Sequence, residues 1–152
     1  MKEKVQAIFG KPTKSISPGG TFLTVHIIPV YKRKLIAFDV IAPEAKGQWF
    51  PWTVLTFGTE PYEAAANLVD DWCNGSIKRL ELCDVLTFKT YEGAWQISLV
   101  FRSELTKIPQ GDAKRKPLVF EKEIPPVIDK FKGADIQRWM NLKDSKTNQM
   151  IF

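Results

Sequence analysis

Hydrophobic and polar positions along this chain follow two periods, and their order sets the expected elements. Residues 21–30, TFLTVHIIPV, are rich in β-branched side chains and predict a strand. Residues 35–41 predict its hairpin partner across the turn Tyr31-Lys32-Arg33-Lys34. Pro29 has no backbone donor for a ladder, so it predicts an edge position or a strand end. A further strand-like run covers residues 80–88, and Glu92-Gly93 turns the chain into residues 94–104. In that stretch Trp95, Ile97, Leu99 and Phe101 alternate with Gln96, Ser98, Val100 and Arg102, which gives one apolar face and one mixed face. Arg102 on the mixed face is expected to reach solvent or an anion. Residues 118–120 predict a short strand.

The helical period is clearest between Pro61 and Cys73. Pro61 suits the first helical position, where a missing N–H costs nothing, and Glu63 places negative charge in the positive first turn. Asn74-Gly75 supplies residues that tolerate a left-handed stop. At about 100° per residue, Ala65, Leu68 and Trp72 share the centre of one stripe with Ala64 and Val69 beside them. Glu63, Asn67 and Asp70 lie opposite, and Asp71 falls at the edge. Pro125 and Pro126 predict the opening of a second helix that turns Val127, Ile128 and Phe131 inward and is broken by Gly133. A third helix over residues 134–142 gathers Ile136, Trp139 and Met140 on one side. Residues 1–20 read as an arm in which Val5 to Phe9 is suited to an edge strand, residues 21–142 as one domain, and residues 143–152 as a tail that is either mobile or docked through Met150 to Phe152. The pattern by itself gives a mixed α and β class.

Composition narrows the classes further. At 152 residues the chain suits a single domain with a full core, and 44% hydrophobic with 26% charged residues argues against a disordered chain. No apolar run approaches the roughly 20 residues that span a bilayer, so a cytoplasmic protein without a membrane partner is expected. Cys73 and Cys83 lack metal-site spacing and companion histidines and are expected reduced and buried. His26 is the only histidine, and a core or edge role outweighs a catalytic one. The net charge of +5 comes in part from Lys114-Arg115-Lys116, Lys32-Arg33-Lys34, Lys11 and Lys14. Solvated loops are the favoured reading of these clusters, and contact with the phosphates of a nucleotide or an RNA backbone is the alternative. No aromatic RNA-binding motif of the paired-strand type accompanies them.

The order of residues around the first helix adds chemistry. Trp49-Phe50-Pro51, then Gly58, then Pro61 and Glu63-Ala64-Ala65 ahead of an acid-bearing helix resembles the Nudix hydrolase family, and the resemblance extends over about Thr21 to Met140. It implies an α+β fold, an α-β-α sandwich whose mixed β-sheet is flanked by helices. In the family the helix carries Arg-Glu, an aliphatic residue, any residue, Glu-Glu, any residue and Gly. Here the segment is Asn67-Leu68-Val69-Asp70-Asp71-Trp72-Cys73-Asn74. Only Val69 and the acid Asp71 keep their roles. The glutamates that would hold magnesium fall on Leu68 and Trp72, the orienting Arg is Asn67, a further glutamate is Thr59, and two loop glycines are Trp52 and Thr53. Magnesium requires several hard oxygen ligands, which one aspartate does not provide.

The favoured expectation is a Nudix-like domain without pyrophosphohydrolase activity that serves as a binding or regulatory module for a nucleotide-type ligand, RNA or a protein partner. Trp52, Leu68, Trp72 and Arg102 are its candidate ligand-binding residues, with no metal and no cofactor. The former cleft is then either filled by these side chains or converted to an apolar pocket. An enzyme alternative rebuilds the acid set from Asp70, the vestigial Asp71, Glu92 and Glu104, with magnesium or manganese as cofactor. A third reading is a homodimer or structural subunit in which Trp52 and Trp72 form an interface.

Overall fold

The computed structural model describes residues 19–90, 92–127 and 130–141. The arm expected at residues 1–20 lies outside the described residues except for Gly19 and Gly20, and the tail expected at residues 143–152 lies wholly outside them. Strand β1 (Thr21–Tyr31) and strand β2 (Lys34–Val40) form the expected hairpin. Its two-residue turn holds Lys32 at φ 46° and Arg33 at φ 67°, the left-handed pair whose twist matches that of the strands it joins. Short strands β3 (Gly47–Trp49) and β4 (Trp52–Val54) flank the fully buried Phe50. Helix α1 (Pro61–Cys73) has the bounds that its sequence signals predict. Glu60 caps it by accepting from the Glu63 N–H at 3.0 Å, and Asn74 at φ 57° and Gly75 at φ 69° make the left-handed stop.

Strands β5 (Ile77–Lys89) and β6 (Trp95–Leu105) are long antiparallel partners, β7 (Arg115–Phe120) pairs with β2, and helix α2 (Gly133–Met140) closes the described chain. The sheet has seven strands in the order β3-β2-β1-β6-β5, with β4 added to β1 and β7 to β2. Only the β1–β6 pairing is parallel, so the sheet is mixed. Alternate residues of β1 and β6 feed two cores. Val25, Ile27, Phe101 and Leu105 pack with Ala64, Ala65, Leu68, Val69 and Cys73 of α1. Ile28, Val30 and Val100 pack with Phe50, Phe131 and the α2 residues Ile136 and Trp139. Each aliphatic side chain taken fully out of water in these layers contributes about 1.5–3 kcal/mol before entropy is counted. The result is an α+β sandwich with α1 on one face of the sheet and α2 on the other.

Three expectations are corrected. Pro29 lies in a central strand rather than at an edge, because β1 changes partners on one side: β4 pairs with Thr24 to His26 and β2 with Val30 and Tyr31. The Ile27 N–H donates to Pro51 O at 2.9 Å on that side, so by alternation the donor that Pro29 lacks falls where the partner changes. No helix opens at Pro125, since residues 125–127 and 130–132 are non-helical; Pro126 disfavours the helical conformation for the residue before it, and the Val127 N–H turns back to Pro125 O at 2.9 Å. Ile128 lies outside the described residues. Gly133 starts α2 rather than ending a helix, with the Asp135 and Ile136 N–H groups on Lys132 O at 3.0 and 3.2 Å. Among the described residues no helix is long and apolar enough to cross a membrane.

Candidate functional site

A cleft of about 420 Å³ opens between the cleft-facing side of α1 and the segment that leads out of β4. Its helical wall is Ala64, Asn67, Leu68 and Asp71, spaced at i, i+3, i+4 and i+7 and therefore on one face. Its other wall is Thr53, Val54, Thr56 and Thr59. Thr53 pairs with Val25 in the β1–β4 ladder and so shares the α1 side of the sheet. Gly58 at φ 83° and the Thr59 N–H on Thr56 O at 3.1 Å tighten the loop, which brings the Thr56 and Thr59 hydroxyls within 2.8 Å of each other. Leu68 serves two roles, since it is 6% exposed in the core and also floors the cleft.

Asp71 is the one carboxylate in the lining, and a guanidinium holds it. Arg115 Nη1 donates to Asp71 Oδ2 at 3.1 Å, while Nη2 reaches Asp71 Oδ1 and the Asp71 backbone O, both at 3.2 Å. Nη2 also donates to Asp112 Oδ2 at 3.1 Å, and the guanidinium sits 4.6 Å from the ring centroid of Trp72. Trp72 meets Phe38 edge-on at 5.3 Å on its core side. Burial of the Arg115 guanidinium alone lowers its pKa, but hydrogen bonds to Asp71 and Asp112 outweigh this and raise it above the ordinary arginine value. The Lys114 backbone N–H, with Arg115 beside it, holds the Asp112 carboxyl below its usual range.

The loop before β7 is built to deliver this cation. Asp112 Oδ1 accepts the N–H groups of Lys114 and Arg115 at 2.8 and 2.9 Å, and the Asp112 N–H returns to Arg115 O at 2.9 Å. Gly111 has φ +74°, and a Cβ there would stand 2.6 Å from Arg115 O, so only glycine lets the loop close. Asn74 at the end of α1 clasps the same loop by accepting from the N–H groups of Gln110 and Gly111 at 3.1 and 3.4 Å. Lys114-Arg115-Lys116 is thus not a uniformly solvated loop: Arg115 is half-buried and begins β7. Sequence reading missed Arg115 and Asp112 as site residues, and the Gly-Asp turn ahead of the alternation in RKPLVF was the available signal.

The structure does not bring the other candidate residues to this cleft. Arg102 and Glu104 share the alternation of Val100, on the α2 side of the sheet. Arg102 is 9% exposed rather than solvated, because β6 is a central strand, and Glu104 pairs with Lys78 at 3.5 Å. Trp52 pairs with His26, whose ring meets Phe131 at 4.9 Å in the α2-side core, and its own ring lies 6.0 Å from that of Trp49. Trp52 and Trp72 therefore belong to opposite faces and form no common interface surface. Asp70 is exposed on α1 and Glu92 is exposed at the β5–β6 turn, both outside the cleft lining. A set of Asp70, Asp71, Glu92 and Glu104 does not assemble.

Magnesium does not fit the residues present. Both oxygens of Asp71 are engaged by Arg115, the neighbouring position is the aliphatic Leu68, and Trp72 is stacked beneath the guanidinium. Among the described residues no group of three or more His, Cys, Asp or Glu is placed to hold a metal ion. The thiols offer no alternative chemistry. Burial pushes Cys73, and burial with Asp84 pushes Cys83, up to about 12, and both are free cysteines.

No protein-family model matches the sequence, and no curated protein matches it significantly. Solved structures do match. A MutT Nudix hydrolase from Burkholderia pseudomallei aligns with TM-score 0.62 at 12% identity, over 79% of this chain and 95% of its own. A Nudix hydrolase from Nitrosomonas europaea aligns with TM-score 0.58 at 18% identity, over 78% and 69%. The Bacillus subtilis pyrophosphohydrolase BsRppH aligns with TM-score 0.54 at 19% identity, over 82% and 75%. At these identities the likeness establishes architecture, and the chain has the fold of the Nudix hydrolases.

Proposed function

We propose that this protein is a Nudix-fold ligand-binding module that has lost metal-dependent pyrophosphohydrolase activity and uses the α1 cleft to bind a nucleotide-type small molecule. The observation that carries the reading is the clamp on Asp71. A carboxylate whose two oxygens face a bidentate guanidinium is a poor ligand for a divalent cation, because its charge is already matched and the metal must approach beside a fixed cation. The cleft keeps polar groups beside an apolar floor and is of a size that takes a small ligand. Binding without turnover follows from keeping the cleft and replacing its acids.

The test is a turnover assay of the purified protein with nucleoside diphosphate sugars, dinucleoside polyphosphates and nucleoside triphosphates, in magnesium or manganese. Product formation is expected at the rate of the protein-free blank. Metal-dependent hydrolysis that Asp71→Ala abolishes would refute the reading.

A further inference from the structure

The chemistry of the cleft lining says more about its ligand than the fold does. Of the eight lining residues, three are threonines and one is Asn67, while Ala64, Leu68 and Val54 supply apolar surface and Asp71 the only charge. That charge is already neutralised by Arg115, whose own stacking on Trp72 and bonds to Asp71 and Asp112 hold it away from a ligand. Among the described residues no lysine, free arginine or histidine lines the cleft. A triphosphate brings several negative charges that must be met by cations or metal when water is displaced, and the lining provides neither. What it provides is paired donors and acceptors: two hydroxyls at 2.8 Å from each other, a third on Thr53, and an exposed carboxamide able both to give and to accept. These sit over an apolar floor of Leu68 and Ala64, the combination that binds a neutral ring carrying hydroxyl groups.

We infer that the cleft recognises an uncharged, hydroxyl-bearing ring, either the free nucleoside or a simple sugar, and that phosphate groups weaken rather than strengthen binding. This rests on the reading of the cleft as a metal-free binding site and narrows its nucleotide-type ligand to the part that carries no phosphate. Thr56, Thr59 and Asn67 make the polar contacts, Leu68 supports the ring, and the Asp71–Arg115 pair excludes anions and cations alike by presenting both charges already matched.

Isothermal titration calorimetry of the intact protein in EDTA, with adenosine, guanosine, cytidine and uridine, then ribose and glucose, then the matching 5′-triphosphates, tests it. Binding by a nucleoside or a sugar is expected, with the corresponding triphosphate at least ten-fold weaker, and the two neutral arms separate nucleoside from sugar recognition. Asn67→Leu and Thr56→Val are expected to weaken that binding ten-fold or more while leaving the unliganded melting temperature within a degree or two. A triphosphate that binds as tightly as its nucleoside in EDTA overturns the neutral-ligand inference but leaves the metal-free module standing. Binding that appears only when EDTA is replaced by magnesium or manganese overturns both. The absence of binding by every probe, or affinity indifferent to both variants, also overturns the inference.

Discussion

The two faces of the sheet divide apolar and polar character in opposite ways. On the α1 face the interior is mostly apolar, with the small buried hydroxyls of Ser76 and Ser103 and the polar side chains of the cleft as the exceptions. On the α2 face the buried polar groups concentrate: Thr24 Oγ1 lies 2.8 Å from both His26 Nε2 and Ser98 Oγ, Gln96 donates to Thr24 and Ser98 at 3.1 and 2.9 Å, and Glu81 and Arg102 are 6% and 9% exposed. Arg138 and Trp139 of α2 both donate to Asp84 of β5, which ties the helix to the sheet through a carboxylate. The candidate acid Glu104 and candidate cation Arg102 are thus built into the face of the sheet opposite the α1 cleft. Charged side chains that sequence reading assigns to one site are separated here by the thickness of a sheet, and the cleft keeps a single, neutralised acid.

If the α2 face is a closed structural layer, truncation there should cost the most. Trp139→Ala removes a side chain with no exposed surface and leaves a large cavity, so urea denaturation is expected to show a loss of about 3–5 kcal/mol. Leu68→Ala on the other face should cost about 2 kcal/mol, the low end for a core leucine, because the open cleft admits water to the space. A Leu68→Ala loss equal to that of Trp139→Ala would mean that the cleft is closed in solution. Ser98→Ala breaks the polar network of the α2 face and is expected to cost about 1–2 kcal/mol. Arg115→Ala removes the clamp, and the expected loss is about 1 kcal/mol, since Asp71 is 65% exposed and its pair is screened; the loss should shrink in high salt.

A further effect concerns alkaline pH. Cys73 and Cys83 rise from 9.0 to about 12 on folding. Between those values the folded state retains protons that the unfolded state releases, so stability is complete below pH 9 and declines as pH climbs towards 12. Denaturation midpoints measured across that window should fall, and less steeply for Cys73→Ala, provided the midpoint at pH 7 is used as each protein's own reference. Neither thiol should react with a thiol reagent at pH 8 without prior unfolding.

Local signals carried most of what the sequence revealed. The bounds of α1, the β1–β2 hairpin and the β5–β6 pair were legible because capping residues, left-handed stops and two-residue alternation act over a few positions. The helix expected at Pro125 failed because a proline pair constrains the residue before it as well as opening a helix. The central place of β1 was hidden, since its parallel partner β6 lies far away in sequence and the partner change that tolerates Pro29 is from β4 to β2. In the cleft, spacing put Leu68 on the buried stripe and Asp71 at its edge but set Asn67 opposite, whereas the cleft opens along the margin of the helix where all three meet. Arg115 could not be joined to Asp71, because that pairing depends on the sheet order that sets β7 beside β2. Trp52 was misplaced for a similar reason: the side of β4 on which it lies is set by its register with His26.

The most direct test of a metal-free cleft is the electron paramagnetic resonance signal of free manganese titrated with the intact protein. The signal is expected to stay at its protein-free intensity for the wild type. Loss of free manganese at sub-millimolar protein, restored by Asp71→Ala, would contradict the neutralised-acid site.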